Sequence, residues 1–188
     1  MTEAVTALQL AHHISRSRLG RRRLALATGL SEMTVRIELE RLRDQELVLI
    51  ERSGVALTSA GNSHFEASLN PILGIHSVEL TSLRLGPIAL AAHVRVPECS
   101  AAWVLRDLAV REGASGLLLL ARNGGEWRFA HDEEPLQVNN PEDAMAIEQA
   151  FPAPNSGDRL VVTFGSTLQL AGQGLWSVLA EITSLPLS

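Results

Sequence analysis

The stretch LSEMTVRIELERLRDQELVLIERSGVALTSAG, residues 30–61, predicts a helix, then a two-stranded ribbon, then the start of another helix. Ser31 can cap the first of these helices by accepting backbone N–H bonds, and we expect the helix to run from about Glu32 to Glu46. Beyond it, two short strands flank Arg52-Ser53-Gly54, which is a hairpin signal. The helix is expected to bury one stripe of apolar residues: Val35, Leu39 and Leu42.

The residues on either side of this stretch complete a pattern. Residues 4–15 have the apolar spacing of a helix, and RRRLALAT, residues 21–28, predicts a second, shorter one. Gly29 is expected to end the short helix, since glycine takes the left-handed conformation at little cost. After the ribbon, Thr58 or Ser59 can cap a fourth helix that stops before Pro71. This order of elements is that of a winged helix-turn-helix.

Two segments carry a resemblance to known proteins. LSEMTVRIELERLRDQELV is similar to the turn and recognition helix of bacterial and archaeal winged-helix transcription regulators, where a T-V-R-like triplet precedes two leucines. Here the triplet is Thr34-Val35-Arg36 and the leucines are Leu39 and Leu42. VALTSAG, residues 55–61, resembles the end of the wing and the following helix. The resemblance implies double-stranded DNA as the partner of residues 1–70.

The charge distribution agrees with an anionic partner. The chain contains no lysine, and its net charge is −5. Residues 1–70 nevertheless carry nine arginines and eight acidic residues, whereas residues 71–188 carry seven arginines and 13 acidic residues. The segment HHISRSRLGRRR, residues 12–23, has five arginines and no acid. We therefore expect the first 70 residues to meet phosphates and the rest to be acidic and separate.

Docking of the predicted recognition helix into the major groove assigns candidate contacts. Thr34 and Arg36 are expected to reach base edges, with Met33 or Ile37 touching thymine methyls. The arginines at 21–23 are expected to meet phosphates, and Arg52 to lie over the backbone or the minor groove. An alternative remains open, because acidic residues in the same helix also suit a protein-interaction module, and arginines can form an ordinary solvated face. The candidate DNA-binding residues are Arg21, Arg22, Arg23, Ser31, Met33, Thr34, Arg36, Ile37 and Arg52.

Residues 71–188 predict a separate α+β domain. From Pro87 the patterns read β-α-β-β-α-β-α, with Gly124-Gly125 as a hairpin turn and Pro141 at a helix start. The first six elements match the βαββαβ order of a ferredoxin-like α/β sandwich, with an extra C-terminal helix. The fold class expected is thus a winged helix-turn-helix followed by that sandwich.

A second resemblance lies in residues 106–116, RDLAVREGASG. It looks like the R-D-x-A-x-R-x-G-A-x-G stretch of an uncharacterised archaeal family with a winged helix before a conserved C-terminal domain. The resemblance implies this architecture and a regulatory role, without naming an effector.

The same region supplies a candidate interface or ligand site. Trp103, Arg106 and Asp107 are expected on the outward side of one helix, where an interface, a pocket wall or an ordinary surface pair would each fit. Gly113 and Gly116 fit ligand contact less well than a helix end and a close helix–strand approach.

Other clusters give only weak support for a metal site, a nucleophile or an anion site. His12-His13 point about 100° apart on a helix and rarely share one ion. The run 131–134, HDEE, offers metal-ligand types, but successive residues seldom converge. Cys99 lacks an activating neighbour. In the segment Phe164-Gly165-Ser166-Thr167, the two hydroxyls fit a helix cap better than an anion site. We therefore expect no metal, no cofactor and no catalytic residues.

The sequence as a whole predicts a cytoplasmic DNA-binding transcription regulator. The longest apolar runs are too short to cross a bilayer, the N-terminus lacks a signal-peptide pattern, and one cysteine fits a reducing compartment. We expect a homodimer, since two half-sites multiply the specificity of one helix, with the Trp103 face or the last helix as the interface. A small-molecule effector for the C-terminal domain, an enzyme fused to a regulatory winged helix, and a protein-interaction module remain alternatives.

Overall fold

A computed structural model describes residues 2–129 and 134–183, which form two compact units. The first unit comprises the described residues up to Asn70 together with Thr183, and the second runs from Pro71 to Ile182. No helix among the described residues is long and apolar enough to cross a membrane.

The first unit has the element order expected of a winged helix-turn-helix. Gly29 has a left-handed φ of 71° and ends the second helix, and the Ser31 hydroxyl accepts a bond from the Thr34 amide at 3.0 Å. The two predicted turn signals are therefore confirmed. The elements are α1 (Glu3–Arg16), α2 (Arg21–Thr28), α3 (Glu32–Asp44), β1 (Val48–Glu51), β2 (Gly54–Leu57) and α4 (Ser59–Leu69).

Helix α3 ends two residues before the predicted Glu46. Glu46 adopts a left-handed φ of 60°, and its amide bonds to Arg43 O at 2.8 Å. The Leu47 amide reaches back to Leu42 O at 2.9 Å. These two bonds form a Schellman motif, which normally places glycine at the left-handed position. A glutamate there gives no sequence signal, which is why the end was misplaced.

The wing is a short antiparallel hairpin. Val48 pairs with Leu57 and Glu51 with Gly54, so Arg52 and Ser53 form its tip. The Val55 amide also donates to Leu19 O at 3.0 Å, which adds the segment before α2 as a third, one-residue strand.

Leu47 is where α3, the wing and α4 meet. Its carbonyl accepts the Thr58 amide at 3.0 Å, and Thr58 in turn caps α4 by accepting from the Gly61 amide at 2.9 Å. A Cβ atom on Gly61 would lie 2.0 Å from the same carbonyl oxygen. Only glycine therefore allows α4 to approach the base of the wing this closely.

The second unit is a mixed helix and sheet domain, which confirms the predicted α+β class. Its five-stranded sheet is antiparallel throughout, in the order β3-β4-β7-β5-β6. The described elements are β3 (Ile72–Ser77), β4 (Ile88–Val94), α5 (Ala102–Arg111), β5 (Gly116–Asn123), β6 (Glu126–Phe129), α6 (Leu136–Asn139), α7 (Pro141–Ala150), β7 (Arg159–Gly165) and α8 (Leu168–Ile182).

The strand order differs from the ferredoxin-like arrangement that we predicted. Strands β4 and β5 do form a split βαβ unit, but the strand between them is the last one, β7. In the ferredoxin-like arrangement the strand between these two is the third of the βαββαβ order, which here is β6. Residues 160–165 of β7 are all buried, so this strand needs a neighbour on both edges, whereas β6 has only four residues and is tied to β5 by Gly124-Gly125. The β3 edge strand extends the sheet by one further strand.

Helices cover both faces of the sheet. Leu160, Val162 and Phe164 of β7 pack in one cluster with Ala144 and Ile147 of α7. The alternate residue Thr163 points to the other face, where its hydroxyl donates to Ala171 O of α8 at 2.8 Å. The domain is therefore three-layered rather than a two-layer sandwich, because α7 lies opposite α8.

One end of the sheet is held by a buried carboxylate. Asp158 is 1% exposed and accepts bonds from His93 Nε2 at 2.8 Å, Arg95 Nε at 2.8 Å and the Asn155 amide at 2.9 Å. Burial alone would raise the pKa of Asp158, but these donors outweigh it and hold the pKa at about 2. Asp158 is therefore ionised at neutral pH and fixes the start of β7 against β4.

Gly61→Ala should destabilise the first unit. The new methyl must displace the Leu47 carbonyl, so we expect the free energy of unfolding to fall by roughly 1–3 kcal/mol despite the higher helix propensity of alanine. Urea unfolding followed by far-UV circular dichroism measures this. Gly20→Ala is the control, because no atom lies within 4 Å of the Cβ position there. Equal stability of the two variants would contradict the close approach.

His12 should make the first unit acid-sensitive. Burial in α1, and then the charges of Arg16 and His13, lower the pKa of His12 to about 3. Between pH 6.5 and about 3 the unfolded chain binds a proton at His12 that the folded unit does not. The free energy of unfolding therefore decreases by about 1.4 kcal/mol for each pH unit by which the pH is lowered in this range.

The measurement is urea unfolding by circular dichroism at pH 7, 6 and 5. All three tryptophans lie in the second unit, so their fluorescence separates the two transitions. His12→Asn should lose the part of this slope that comes from His12 and keep the part from His13, whose pKa burial and then Arg16 also lower. His64→Asn, an exposed change in α4, should keep the whole slope. A slope unchanged in His12→Asn would show that His12 is not its source.

Candidate nucleic-acid interface

The core stripe of α3 determines which side chains the helix presents to solvent. Val35, Leu39 and Leu42 are at most 1% exposed, as predicted. The opposite side carries Met33 and Ile37, which are 62% and 59% exposed. Large apolar side chains in solvent carry a free-energy cost, and a groove lined with thymine methyls would remove it.

Arg36 lies on this outward side but is not free. Its Nε donates to Glu40 Oε1 at 2.8 Å, one helical turn along. The hydrogen bond raises the pKa of Arg36 and lowers that of Glu40, which Arg43 and Arg21 lower further. Glu40 holds one of the five N–H donors of Arg36, so it competes with a DNA base or phosphate for this guanidinium.

The acidic second half of α3 is largely neutralised within the helix. Glu38 is 4% exposed and accepts a bond from Arg41 Nη2 at 2.5 Å, while the single N–H of Arg41 Nε is shared between both Glu38 oxygens at 3.2 Å. Asp44 accepts from Arg43 Nη2 at 2.8 Å. Glu40 is paired in the same way with Arg36, so Glu38, Glu40 and Asp44 each have an arginine partner within the helix.

Four arginines line one surface groove of about 650 Å³ between the start of α2 and the wing. No carboxylate among the described residues lies within ion-pair distance of Arg21 or Arg23, and Arg22 meets Glu32 only at 3.7 Å. The groove is thus strongly positive and open to an anion. Its lining residues are Arg18, Gly20, Arg21, Arg22, Arg23, Glu32 and Ser53.

The first turn of α2 adds to this positive potential. Gly20 caps the helix without a side-chain hydrogen bond, and its first turn contains no acidic residue. Exposed backbone N–H groups at a helix start attract anions, and the three arginines stand on those same positions. A phosphate is the ligand that this arrangement suits.

The wing contributes one arginine and neutralises another. Arg18 Nη1 donates to Glu51 at 2.6 Å and to Ser53 at 3.2 Å, which ties the segment before α2 to the wing. Arg52 at the tip is exposed and, within the described part of the chain, has no carboxylate within ion-pair distance.

The predicted DNA-binding residues therefore fall into three groups and one separate residue. Arg21, Arg22 and Arg23 share the groove, and Met33, Arg36 and Ile37 share the outward side of α3. Ser31 and Thr34 bond to each other through their hydroxyls at 2.8 Å, so one of the two hydroxyl hydrogens is already used and the other stays available to a base. Arg52 stands apart at the wing tip.

Sequence reasoning missed two features of this surface. Leu26 of α2 is 79% exposed, the largest exposure of any described large apolar residue. Arg43 lies seven residues beyond Arg36 and so shares its side of α3. The seven-residue spacing would have located Arg43, whereas Leu26 sits in an apolar pattern that resembles a core position.

In the second unit the predicted residues do not form one site. Trp103 is 64% exposed, and Arg106 Nη2 donates to Asp107 Oδ1 at 3.0 Å beside it. Gly113 follows the C-cap of α5 and has a φ of +99°. A Cβ on Gly116 would lie 2.8 Å from Leu85 Cδ1. The two glycines therefore serve backbone geometry and close packing.

A separate groove of about 310 Å³ lies where the segment after β3 crosses the sheet. It combines apolar walls from Val78, Leu80 and Phe164 with the polar side chains of Thr81 and Arg84. Trp103, Arg106, Asp107, Gly113 and Gly116 do not line it.

The remaining candidates resolve as follows. The described residues hold no group of three or more His, Cys, Asp or Glu placed to bind a metal, and residues 131–133 of the HDEE run lie outside the described residues. Burial raises the pKa of the Cys99 thiol. Thr167 accepts the Leu170 amide at 3.2 Å and so caps α8. The sequence also suggests Ser100 as the cap of α5, but the N-cap is Ala101, which makes no side-chain cap bond.

Two family models match this chain, one in each unit. Residues 7–72 match the family described as the CggR N-terminal DNA binding domain. Residues 93–182 match the family described as a domain of unknown function, DUF4443. The predicted architecture, a winged-helix regulator domain before a C-terminal domain of unknown function, is confirmed.

Solved structures include one of the same fold. Hypothetical protein PH0730 from Pyrococcus horikoshii OT3 superposes with a TM-score of 0.76 at 22% identity, covering 99% of this chain and 94% of that chain. Among proteins with curated descriptions, none shows significant similarity to this chain.

Proposed function

We propose that the protein is a cytoplasmic transcription regulator that binds double-stranded DNA through its first unit. Helix α3 enters the major groove with Met33, Arg36 and Ile37 toward the bases, while the groove arginines and Arg52 hold phosphates. The observation that carries this proposal is the open groove of four arginines beside the outward side of α3.

The family match supports the same assignment, because the matched family is described as a DNA binding domain. The role that we assign is regulatory and not enzymatic. The second unit would pair two copies of the chain, and the groove beside Phe164 is where a small effector would be sought.

The DNA test is fluorescence anisotropy with the labelled region upstream of the protein's own coding sequence, and a scrambled fragment, over a salt series. We expect preference for the native fragment and a steep salt dependence. Arg36→Ala should weaken binding to the native fragment by roughly 5- to 100-fold, and Arg22→Ala should reduce the salt slope by about one.

Arg84→Ala, an exposed change in the second unit, is the matched control and should bind as the wild type does. Equal binding of both fragments by wild type and Arg36→Ala would refute base readout by α3. Complete absence of salt-dependent binding would instead favour the protein-interaction alternative.

Glu40→Gln should strengthen DNA binding. The change releases Arg36 from its ion pair and removes a negative charge from the outward side of α3, so we expect an affinity gain of about 3- to 10-fold. The same titration measures it. Glu66→Gln makes the same change in net charge on an exposed position of α4 and should alter affinity much less. If both variants gain equally, only net charge matters, and the Arg36–Glu40 pair has no special role.

A further inference from the structure

The outward face of α5 is an exposed apolar line with a charge on either side. Trp103 is 64% exposed and Val110 47% exposed, whereas Leu105 and Ala109 on the inner side are fully buried. Exposed tryptophan is uncommon outside interfaces, where it is among the residues that contribute most to binding. The last helix, our other candidate interface, buries nearly all of its apolar stripe inside the unit.

Helical geometry gives this face a symmetric pattern. At 100° per residue, Trp103 and Val110 lie within about 20° of each other around the helix, and Arg106 and Asp107 lie about 50° to either side of their midline. The two charged side chains are 57% and 54% exposed. The face thus carries an apolar centre with Arg106 rooted on one flank and Asp107 on the other, and within one chain Arg106 Nη2 donates to Asp107 Oδ1 at 3.0 Å.

We propose that this face pairs two copies of the chain about a two-fold axis parallel to α5, an inference that rests on the dimeric regulator proposed above. A two-fold interface uses the same patch on both copies, so the patch must be self-complementary. In the parallel arrangement Trp103 meets Trp103 of the partner subunit, and Arg106 exchanges its bond to Asp107 of its own chain for one to Asp107 of the partner subunit. An antiparallel pair would instead bring the two arginines together and the two aspartates together, which like-charge repulsion disfavours.

The size of the face sets the strength of the dimer. One face of a ten-residue helix is smaller than the ~800 Å² per partner of a standard stable interface. The free protein is therefore a weak dimer that dissociates on dilution. Binding of two copies to one DNA raises their effective concentration and completes the pairing.

Charge reversal tests the face by sedimentation velocity over a range of protein concentrations. Arg106→Asp places two acids on each face, and Asp107→Arg places two bases, so each variant alone should remain monomeric where the wild type dimerises. An equimolar mixture of the two should restore the dimer as a heterodimer, because every contact is then between opposite charges. A wild type that stays monomeric, single variants that dimerise normally, or a mixture that does not recover would each overturn the proposal.

Cysteine cross-linking tests the parallel direction. With Cys99→Ser as background, Trp103→Cys should form a disulfide-linked dimer on mild oxidation, because the parallel axis brings the two copies of position 103 together. A chain that links only when Trp103→Cys and Val110→Cys are combined would show an antiparallel pair and refute the register.

DNA titrations separate this inference from the proposed function. If Arg106→Asp binds the upstream fragment about 100-fold more weakly than the wild type, and the mixture with Asp107→Arg recovers, both proposals stand. If the wild type dimerises through α5 but binds no DNA, the function fails and the interface stands. If DNA binding is normal while charge reversal changes neither assembly nor affinity, the interface fails and the function stands.

Discussion

The burial of three residues of α3 determines how the first unit faces its surroundings. A helix that hides Val35, Leu39 and Leu42 must turn Met33, Arg36 and Ile37 outward, because the helical period leaves no other direction. The other elements fix where this helix begins and ends. Gly29 and Ser31 set its start, the Schellman motif at Glu46 sets its end, and the Leu47 carbonyl joins that end to the wing and α4. Loss of any of these contacts would change the orientation of the outward side.

The second unit is organised around one strand. Strand β7 pairs with β4 on one edge and β5 on the other, and its two faces support α7 and α8. Asp158 anchors the start of this strand by accepting bonds from His93 and Arg95. A carboxylate that is both buried and ionised is stable only with such donors, so removing one donor would leave an uncompensated charge. Helix α5 packs into the same unit through the fully buried Leu105 and Ala109, which leaves its outward face to solvent.

The sequence predicted the elements whose signals are local. A cap at Ser31, a left-handed glycine at 29, a two-glycine turn at 124–125 and a proline at 141 each act on their own neighbours, and the structure contains all four. The order of strands in the sheet depends on contacts between residues far apart in the chain, so the ferredoxin-like arrangement could not be tested against any local signal. The i,i+4 spacing of Arg36 and Glu40 would have predicted their ion pair. The exposure of Leu26 and the grouping of four arginines in one groove depend on how α2 packs beside the wing, which the sequence alone does not specify.

The absence of lysine from these 188 residues has a consequence for how the positive surface can be controlled. Every guanidinium stays protonated far above physiological pH, and Glu40 raises the pKa of Arg36 further. Acetylation, which removes the charge of a lysine side chain, has no target in this groove. The arginine charges of the surface are therefore independent of lysine acetylation and of pH in the physiological range, and competing carboxylates such as Glu40, salt, and the number of copies that assemble remain as ways to adjust its contact with DNA.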